Sequence, residues 1–541
     1  MKITPRQALI LVLLLAAALR LPNLYDMPFW EFDEGYNLAY AWNLSEGRLL
    51  WFDIRYPYVP HPPLFYVALA AIIKIFGYTL YPARVFAVIL SLCTTTLLYL
   101  IGSRLIDKKT GLLAAFLYAV YPHAVFWGRM NYNNNLIALM ITLSFYLYLL
   151  SGRWRTLSYA VMGLSVITEF NGISLAITAF LLGVLFERKS LPRNMAIVLA
   201  PAMVFSLVML QIMPAYFIHD LGYQFKRFGF SPVVFLGSGL ILAVFYAFAD
   251  KLPSAYRMSR DFLRREATIL FAEYDSIAWN SGPMILVSAV HFYASRWLFH
   301  DFYDGYFIGS FEYYWLMIVG WLLIKDAAKR NITLLFTVPM LIVTLKIGRF
   351  DHMCIPLYPL FSLGGSVLLQ ELYSFLRKLA LLLTNNKTLA LCFSAILLAY
   401  PFAYVAYADF DTFVMGRRIS REDVKSMIDA AEYVNNRTNK EDLVLTSSHL
   451  VRYISPANAS IFIQGIAIHT PIAYYPALPP ERFVYNISYR NAKYIVIPGN
   501  DGLAWLANEE NGSFRNISRE ISAWSVEKEI GAYYIYRNPA K

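Results

Sequence analysis

An acidic stretch between aromatic residues is the part of the sequence best suited to chemistry. Glu31, Asp33 and Glu34 follow shortly after Leu21-Pro22, where the first long apolar segment ends. Carboxylates are costly in hydrocarbon and rare beside membrane spans, so an acidic cluster at this boundary indicates a functional site. One of these carboxylates could act as a general base and take a proton from an attacking hydroxyl. The competing interpretation is a solvated loop whose acidic residues have no role.

Cationic residues and histidines recur at the same predicted face of the membrane. They are His61, Arg84, Arg129, Lys346, Arg349 and His352. Cations can hold and neutralise a leaving phosphate while a carboxylate opposite them activates the acceptor. If the phosphate belongs to a lipid, its tail lies in the bilayer and its head meets the acids at the membrane rim. Taken singly, each cation has another interpretation as an interfacial anchor on a long apolar stem.

Composition shows what kind of protein must position these groups. The 541 residues are 58% hydrophobic and 15% charged, whereas soluble proteins carry about 25% charged residues. We therefore expect a polytopic membrane protein. The net charge of +11 lies mostly in short loops between apolar spans, so it indicates orientation and not a nucleic-acid partner. The chain has three cysteines, and each lies in an apolar stretch: Cys93, Cys354 and Cys392. An odd number in such places argues against a disulfide framework or a metal cluster.

Apolar segments predict a mainly α membrane domain over residues 1–406 with about thirteen transmembrane helices. The first span covers residues 8–19, the third about 111–126 and the last about 388–406. Lys2 and Arg6 place the N-terminus in the cytoplasm, and an odd number of spans then places the C-terminus outside the membrane. The number of spans is least constrained by the sequence over residues 214–280.

The first outer loop, residues 22–80, is predicted to contain two juxtamembrane helices. Residues 35–44 are typical of a short amphipathic helix after the acids. Pro62-Pro63 opens a second apolar helix that runs to about Phe76 and ends at Gly77, because proline is tolerated in a first helical turn. At this length it is too short to span a bilayer, so we expect it to lie at the interface.

Residues 407–541 are predicted to form a small extracytoplasmic α/β domain. Ser420 resembles an N-cap before an amphipathic helix that runs to about Arg437. Residues 442–446, 493–497 and 532–536 are rich in β-branched and aromatic side chains and predict strands.

An ordered set of motifs resembles the dolichyl-phosphate-mannose protein mannosyltransferase superfamily, which includes the lipid A aminoarabinose transferases and has the GT-C fold. The motifs are Asp33-Glu34 after the first span, then His61-Pro62-Pro63-Leu64-Phe65-Tyr66, then Pro82-Ala83-Arg84. The resemblance covers the membrane domain, most clearly residues 25–150. It implies that Asp33 is the catalytic carboxylate with Glu34 beside it. It also implies that His61 and Arg84 belong to the substrate site.

The same resemblance implies a basic donor-phosphate site in the late outer loop. Arg349 and His352 match it, and Lys346 lies in the same connection. Two positions depart from the family. Relatives often carry an Asp five residues after an Arg in the second outer loop, whereas Arg129 is followed there by Asn134, whose amide could bind a sugar or position a base but cannot ionise. Many relatives place a Lys that contacts the phosphate where this chain has Glu169. Because the charge is reversed, that contact is not expected in this chain.

The function implied is inverting transfer of one sugar, mannose by family, from a polyprenyl (dolichyl) phosphate at the outer membrane face. The acceptor is a hydroxyl on a protein, a glycan or a lipid, and no divalent metal cofactor is expected. An oligosaccharyltransferase is a rival, although its Trp-Trp-Asp-Tyr-Gly-type motif is not found in the sequence. A transporter or flippase for lipid-linked sugars is another, and would show paired repeats or mid-span acids. Scarce Gln and Cys hint at an archaeal thermophile.

Overall fold

The structure, a computed structural model, describes most of the chain in eleven stretches. They are residues 4–24, 32–47, 62–212, 320–347, 351–384, 410–415, 421–447, 450–454, 458–469, 487–499 and 512–541, with a few isolated positions between them. The predicted eighth span (about 232–249) and ninth span (about 282–298) lie outside the described residues, as do most of the tenth (about 310–324) and nearly all of the thirteenth. The number of spans therefore stays a prediction.

The described membrane part is a bundle of helices joined mostly by short turns. Before residue 213 they are α1 Pro5–Arg20, α2 Phe32–Ser45, α3 Leu64–Phe76, α4 Leu80–Leu105, α5 Lys108–Val120, α6 Pro122–Trp127, α7 Asn133–Leu150, α8 Arg153–Val166, α9 Ile173–Phe186 and α10 Leu191–Ile212. After residue 319 they are α11 Ala327–Ile347 and α12 Leu357–Thr384. Short 3-10 turns at Phe170–Gly172 and Asp351–Cys354 precede α9 and α12.

Three helices among the described residues are long and apolar enough to cross a bilayer. They are Leu80–Leu105, Asn133–Leu150 and Arg188–Ile212. In the last of these, Met203, Val204 and Leu207 are exposed on the protein surface. Exposed apolar faces of this kind are suited to contact with lipid. These helices support a membrane location, whereas the orientation of the termini stays a prediction.

The two helices predicted for the first outer loop are both present. α3 covers Leu64–Phe76 and ends at Gly77, whose φ of 85° is open to glycine at no steric cost. α2 begins at Phe32 rather than at Gly35 as predicted. Its first turn therefore includes Asp33 and Glu34. Carboxylates in a first turn interact favourably with the positive end of the helix dipole.

The single helix predicted for the third span is divided. α5 ends at Val120 and α6 begins at Pro122, with Tyr121 in an extended conformation between them. A proline disfavours helical geometry in the residue before it and has no N–H to donate, so the helix ends at that point. The sequence pattern missed this because all of these residues are compatible with an apolar span. The short α6 leads directly into residues 127–135, which we call the asparagine segment.

The C-terminal part contains a five-stranded sheet with the strand order β2-β1-β3-β5-β4. The strands are β1 Leu443–Thr446, β2 Asn458–Ile461, β3 Tyr494–Pro498, β4 Ser525–Ile530 and β5 Tyr533–Arg537. β1 is parallel to β2 and β3, and β5 is antiparallel to β3 and β4. One face is covered by α13 Arg421–Asn435, and the other by α14 Phe462–Ala467 with α15 Gly512–Ser522.

The predicted strands correspond to β1, β3 and β5, and the predicted helix corresponds to α13. β2 and β4 were not predicted. β2 is half polar, and β4 is an edge strand with mostly exposed residues, so neither carries the apolar signal of a buried strand. The boundary of this domain at residue 407 stays a prediction.

A carboxylate joins α13 to the sheet. Tyr433 and Tyr494 each donate a hydroxyl hydrogen bond of 3.0 Å to Glu527 Oε1, and Arg537 donates to Oε2 at 3.1 Å. Partial burial by itself would raise the pKa of Glu527, but these hydrogen bonds outweigh it and the pKa is lowered from its usual value. Since the lowered pKa favours the charged form in the folded state, this stabilisation is present at neutral pH and is lost as the pH falls through the folded-state pKa.

The sheet contacts the same end of the bundle as the acidic stretch. The 3-10 turn Val451–Tyr453 packs against α2. Beyond the end of α1, Asn23 Nδ2 donates to the carbonyl of Val414 at 2.8 Å, just before the C-terminal part begins. The acids and the sheet therefore lie on one side of the membrane bundle, whichever compartment that side faces.

Candidate active site

A buried ion pair holds the first turn of α2. Arg84, in the first turn of α4, donates from Nε to Glu34 Oε1 at 3.0 Å and from Nη2 to Oε2 at 2.5 Å. Both side chains are 1% exposed. Arg84 Nη1 also donates to the carbonyl of Leu24 at 2.6 Å. Two parallel N–H···O bonds fix both the distance and the plane of a carboxylate, so the start of α2 is rigidly attached to α4.

Two further arginines fix the end of α1, just before the acidic stretch. Arg129 is fully buried and donates from Nη1 to the carbonyl of Leu19 at 2.8 Å, and from Nη2 to that of Pro22. Arg20 donates to the carbonyl of Ala119 at 2.8 Å, at the end of α5. The last carbonyls of a helix have no partner within it, and these guanidinium groups supply one. The chain that leads to Asp33 thus begins from a fixed point.

The backbone of Asn131 holds α2 at two points. Its N–H donates to Glu34 Oε1 at 2.8 Å, and its carbonyl accepts from Asn37 Nδ2 at 2.8 Å. Tyr66 of α3 in turn donates to Asn37 Oδ1 at 2.9 Å. The carboxamide of Asn131 is different: the side chain is 1% exposed, and among the described residues neither its oxygen nor its nitrogen has a hydrogen-bond partner. An unpaired buried amide costs free energy unless something binds it.

A second polar cluster lies at the start of α7. Asn133 Nδ2 donates to Glu169 Oε2, and Asn171 Nδ2 donates to Asn134 Oδ1 at 2.6 Å. All four side chains are at least nine-tenths buried. The backbone N–H of Leu64 donates to the carbonyl of Ile167 at 3.0 Å. This bond brings the start of α3, directly after the His-Pro-Pro motif, to the turn that carries Glu169.

His352 packs against the asparagine segment from the far end of the chain. It is 8% exposed. Its ring centroid lies 5.0 Å from that of Tyr132 and 6.0 Å from that of Trp127. The 3-10 turn Asp351–Cys354 is thereby placed beside the loop that also contacts Glu34. The connection between α11 and α12 and the start of α2 therefore both lie against the asparagine segment.

Comparison with known proteins adds a family match and a shared fold. A model of the family described as dolichyl-phosphate-mannose-protein mannosyltransferase matches residues 60–213. The match runs from the His-Pro-Pro motif through α10 and includes the whole asparagine segment. No curated protein sequence matches the chain.

Solved membrane proteins share the architecture. The oligosaccharyltransferase of Archaeoglobus fulgidus in the apo form superimposes with a TM-score of 0.56 at 15% identity, covering 94% of this chain and 71% of that one. ArnT from Cupriavidus metallidurans, bound to undecaprenyl phosphate, superimposes with a TM-score of 0.52 at 13% identity, covering 99% and 98%. The chain has the GT-C fold. The predicted resemblance to the GT-C superfamily is thus confirmed.

A third GT-C structure was solved with a lipid phosphate. AglB from Archaeoglobus fulgidus, in complex with an inhibitory peptide and a dolichol-phosphate, superimposes with a TM-score of 0.54 at 15% identity, covering 96% of this chain and 72% of that one. At these identities the likeness is one of fold.

Within the GT-C fold, the predicted site residues fall into two groups. Glu34, Arg84, Arg129, Asn134 and His352 are all buried and lie on or around the asparagine segment. Among the others, Asp33 lies in the first turn of α2 and Lys346 near the end of α11, but their side chains are not among those described, while His61 and Arg349 lie wholly outside the described residues.

Sequence reasoning did not single out Asn37, Asn131 or Asn171. Each is at least nine-tenths buried in an apolar bundle. A signal was present, since polar residues are rare inside membrane proteins and usually line a functional path. Among the asparagines of residues 131–135, the sequence pattern indicates only Asn134, through its spacing after Arg129.

The described residues contain no group of three or more His, Cys, Asp or Glu side chains placed to hold a metal ion. The side chains of Glu31 and Asp33 lie outside that description. Metal independence therefore stays a prediction.

Proposed function

We propose that the protein is a glycosyltransferase that takes a single sugar, mannose by family, from a polyprenyl monophosphate and delivers it to a hydroxyl acceptor. Three findings support this: the family model over residues 60–213, the likeness to ArnT with bound undecaprenyl phosphate and the likeness to AglB with bound dolichol-phosphate. The observation that carries the proposal is the buried Glu34–Arg84 pair, which fixes the acidic first turn of α2.

The proposed reaction is a single displacement. Asp33 takes the proton of the acceptor hydroxyl, whose oxygen attacks the anomeric carbon from the face opposite the phosphate. The bond from that carbon to the phosphate oxygen breaks, and its electron pair stays on the phosphate. The new glycosidic bond has inverted configuration. The lipid monophosphate leaves with about two negative charges, which positioned cations stabilise.

The contacts of Glu34 and Arg84 indicate which site residues position others and which residue acts as the base. The Glu34 carboxylate accepts from Arg84 and from the Asn131 N–H. A carboxylate held in this way positions its neighbour instead of taking a proton, so we assign the base to Asp33. Arg84 and Arg129 direct their N–H groups to protein oxygens. We therefore propose that these two arginines position the site and that His61, Lys346, Arg349 and His352 meet the donor.

The asparagines contribute in two ways in this proposal. The Asn134 amide accepts from Asn171, so it holds the start of α7 against the turn before α9. The Asn131 amide has no hydrogen-bond partner in the part of the chain that the structure describes, although its own backbone contacts Glu34. We propose that Asn131 hydrogen-bonds a hydroxyl of the sugar or the acceptor beside the base.

Turnover of defined donors tests the function. Purified protein is supplied with dolichyl phosphate mannose, other monosaccharide donors on the same lipid, and a diphosphate-linked oligosaccharide. Acceptors are a hydroxyl-containing peptide, a mannoside and a lipid, and products are identified by mass spectrometry. Release of lipid monophosphate with a new glycoside supports the proposal. Transfer of an oligosaccharide to asparagine would make the protein an oligosaccharyltransferase. Movement of labelled lipid across proteoliposomes with its sugar intact would make it a flippase.

Arg349 is expected to bind the donor phosphate through two oxygens. Arg349→Ala should weaken donor binding and slow turnover, and Arg349→Lys should not be neutral although the charge is kept, because lysine lacks the planar fork. We expect a loss of about 100-fold for alanine, since stabilising a leaving group can contribute several kcal/mol. Donor affinity and single-turnover rate are measured separately. Wild-type values for both variants would place the phosphate elsewhere.

Asn131→Ala should lower kcat/KM by about 10- to 100-fold, because a substrate hydroxyl loses a hydrogen bond in a buried site. Its thermal stability should change little, since the amide makes no hydrogen bond to any described residue. Asn135→Ala is the matched control, because Asn135 Nδ2 donates to the carbonyls of Trp127 and Met130. That variant should unfold at a lower temperature. An Asn131→Ala enzyme with unchanged kcat/KM would remove Asn131 from the substrate site.

Activity is expected to persist in excess chelator. The proposed mechanism uses side-chain cations in place of a divalent metal ion. The measurement is initial rate after extensive treatment with EDTA, with and without added magnesium or manganese. Loss of activity that either metal restores would show that the acidic stretch holds an ion.

A further inference from the structure

A cleft opens at the end of the bundle away from the candidate active site. It is formed where α7 gives way to α8 and where α9 gives way to α10, and its volume is about 640 Å³. α7 begins in the asparagine segment and ends beside the cleft, so the two places lie roughly 27 Å apart along that helix at 1.5 Å per residue. The cleft is therefore separate from the proposed chemistry.

The cleft is strongly positive. Its lining includes Arg155, Arg188, Lys189 and Arg193, against the single carboxylate of Glu187. Cationic pockets between helix ends at a membrane surface are suited to the phosphate of a lipid head group.

Glu187 offsets only part of the positive charge of the cleft and holds the side chains at its floor. Arg155 Nη1 lies 3.1 Å from Glu187 Oε1, while Asn194 Nδ2 and the Tyr159 hydroxyl donate to Oε2 at 2.9 and 3.3 Å. The Arg155 guanidinium also lies 4.8 Å from the centroid of the Tyr148 ring. These contacts fix Arg155 at the floor of the cleft, and among the described residues its shielded Nε has no hydrogen-bond partner.

The backbone adds a further attraction for an anion. Gly152 lines the cleft and is the N-cap of α8, and a glycine has no side chain to accept a hydrogen bond from the first turn. The first N–H groups of a helix have no intrahelical partner and carry the positive end of its dipole.

The surroundings of the cleft distinguish a lipid from a free ion. Phe186 lines it and is 44% exposed, and Leu157 and Trp154 nearby are 45% and 41% exposed. Arg153 lies 5.0 Å from the Trp154 ring. Aromatic residues beside cations are typical of the membrane interface. Exposed apolar side chains beside the cleft give the acyl chains of a lipid a surface to pack on, which free phosphate would not use.

We propose that this cleft binds the phosphate of an anionic membrane lipid, with Arg155, Arg188, Lys189 and Arg193 around the head group. The chains of that lipid lie along Leu157 and Phe186. This inference does not depend on the proposed glycosyl transfer, because no residue of the cleft belongs to the candidate active site.

Native mass spectrometry of the full chain in detergent tests the proposal. Dioleoyl phosphatidylglycerol is titrated against dioleoyl phosphatidylcholine, with inorganic phosphate in a separate arm. Wild type should retain phosphatidylglycerol preferentially. Combined Arg188→Gln, Lys189→Gln and Arg193→Gln should weaken that retention at least about 10-fold, because cations near an anionic head group supply most of its attraction. The matched control is Lys108→Gln, Lys109→Gln and Lys325→Gln, three exposed lysines near other helix ends, which should retain the lipid like wild type.

Cross-linking of wild type provides a measurement that needs no variant. A photoactivatable phosphatidic acid should label peptides containing residues 152–159 and 185–194. Labelling confined to other peptides, or equal retention of lipid by the triple variant and wild type, would overturn the proposal. Binding of inorganic phosphate without preference for phosphatidylglycerol would also overturn it, since the ligand would then be the free ion.

Discussion

Asp33→Asn should lower turnover by at least about 100-fold, the usual scale for loss of a general base. The amide keeps the size of the side chain but cannot take the proton of the acceptor hydroxyl. Donor affinity and unfolding temperature should stay close to wild type, because the hydrogen bonds that hold the start of α2 are made to Glu34. The measurement is single-turnover rate at saturating donor, with donor affinity determined separately. The large effect should therefore appear in the chemical step.

Asp326→Asn provides a matched control for this substitution. Asp326 Oδ1 accepts from the backbone N–H groups of Ala328 and Lys329 at the start of α11, and asparagine caps a helix about as well as aspartate. That variant should turn over like wild type. An Asp33→Asn enzyme that keeps more than half of the wild-type rate would exclude Asp33 as the base. If Glu34→Gln then proved to be the slower variant in the chemical step, the base would be Glu34.

Breaking the Glu34–Arg84 pair should have the largest effect on stability. Arg84→Met leaves a carboxylate at 1% exposure with only the Asn131 N–H as a partner among the contacts described above. Removing one partner of a buried pair costs about 3–5 kcal/mol, because the other charge stays desolvated. We expect a clear fall in unfolding temperature and a matching loss of turnover, as the first turn of α2 loses its attachment to α4.

A double-mutant cycle tests whether the stability lost in Arg84→Met comes from the unpaired charge of Glu34. Glu34→Gln combined with Arg84→Met should recover much of the stability lost in Arg84→Met alone, since no buried charge is left unpaired. Turnover should stay low, because Asp33 is no longer held in place. The control pair is Arg490 with Glu520, whose side chains are 62% and 42% exposed, and exposed pairs contribute less than about 1 kcal/mol. Additive effects of Glu34 and Arg84 would contradict a positioning role.

Local patterns predicted several elements correctly. α3 was placed to within about a residue, because Pro62-Pro63 and Gly77 give start and stop signals in the chain itself. β1, β3 and β5 were found because buried strands carry dense apolar and aromatic residues. Local patterns failed where the structure depends on packing. α2 begins earlier than predicted, and β2 and β4 form strands because they pair with β1 and β5.

The sequence by itself determined which residue types could do chemistry: an acidic pair after the first span, cations in later connections, and a composition that requires a membrane. Only the tertiary structure decided what each of them does. Glu34 and Arg84 are 50 residues apart in the chain, and His352 meets Tyr132 across a still longer separation. Spacing along a chain specifies which residues share a helix face, whereas contacts between helices depend on how the whole bundle packs. The same carboxylate pattern was therefore compatible with two bases, and the packing that pairs Glu34 with Arg84 is the reason we propose Asp33 as the base.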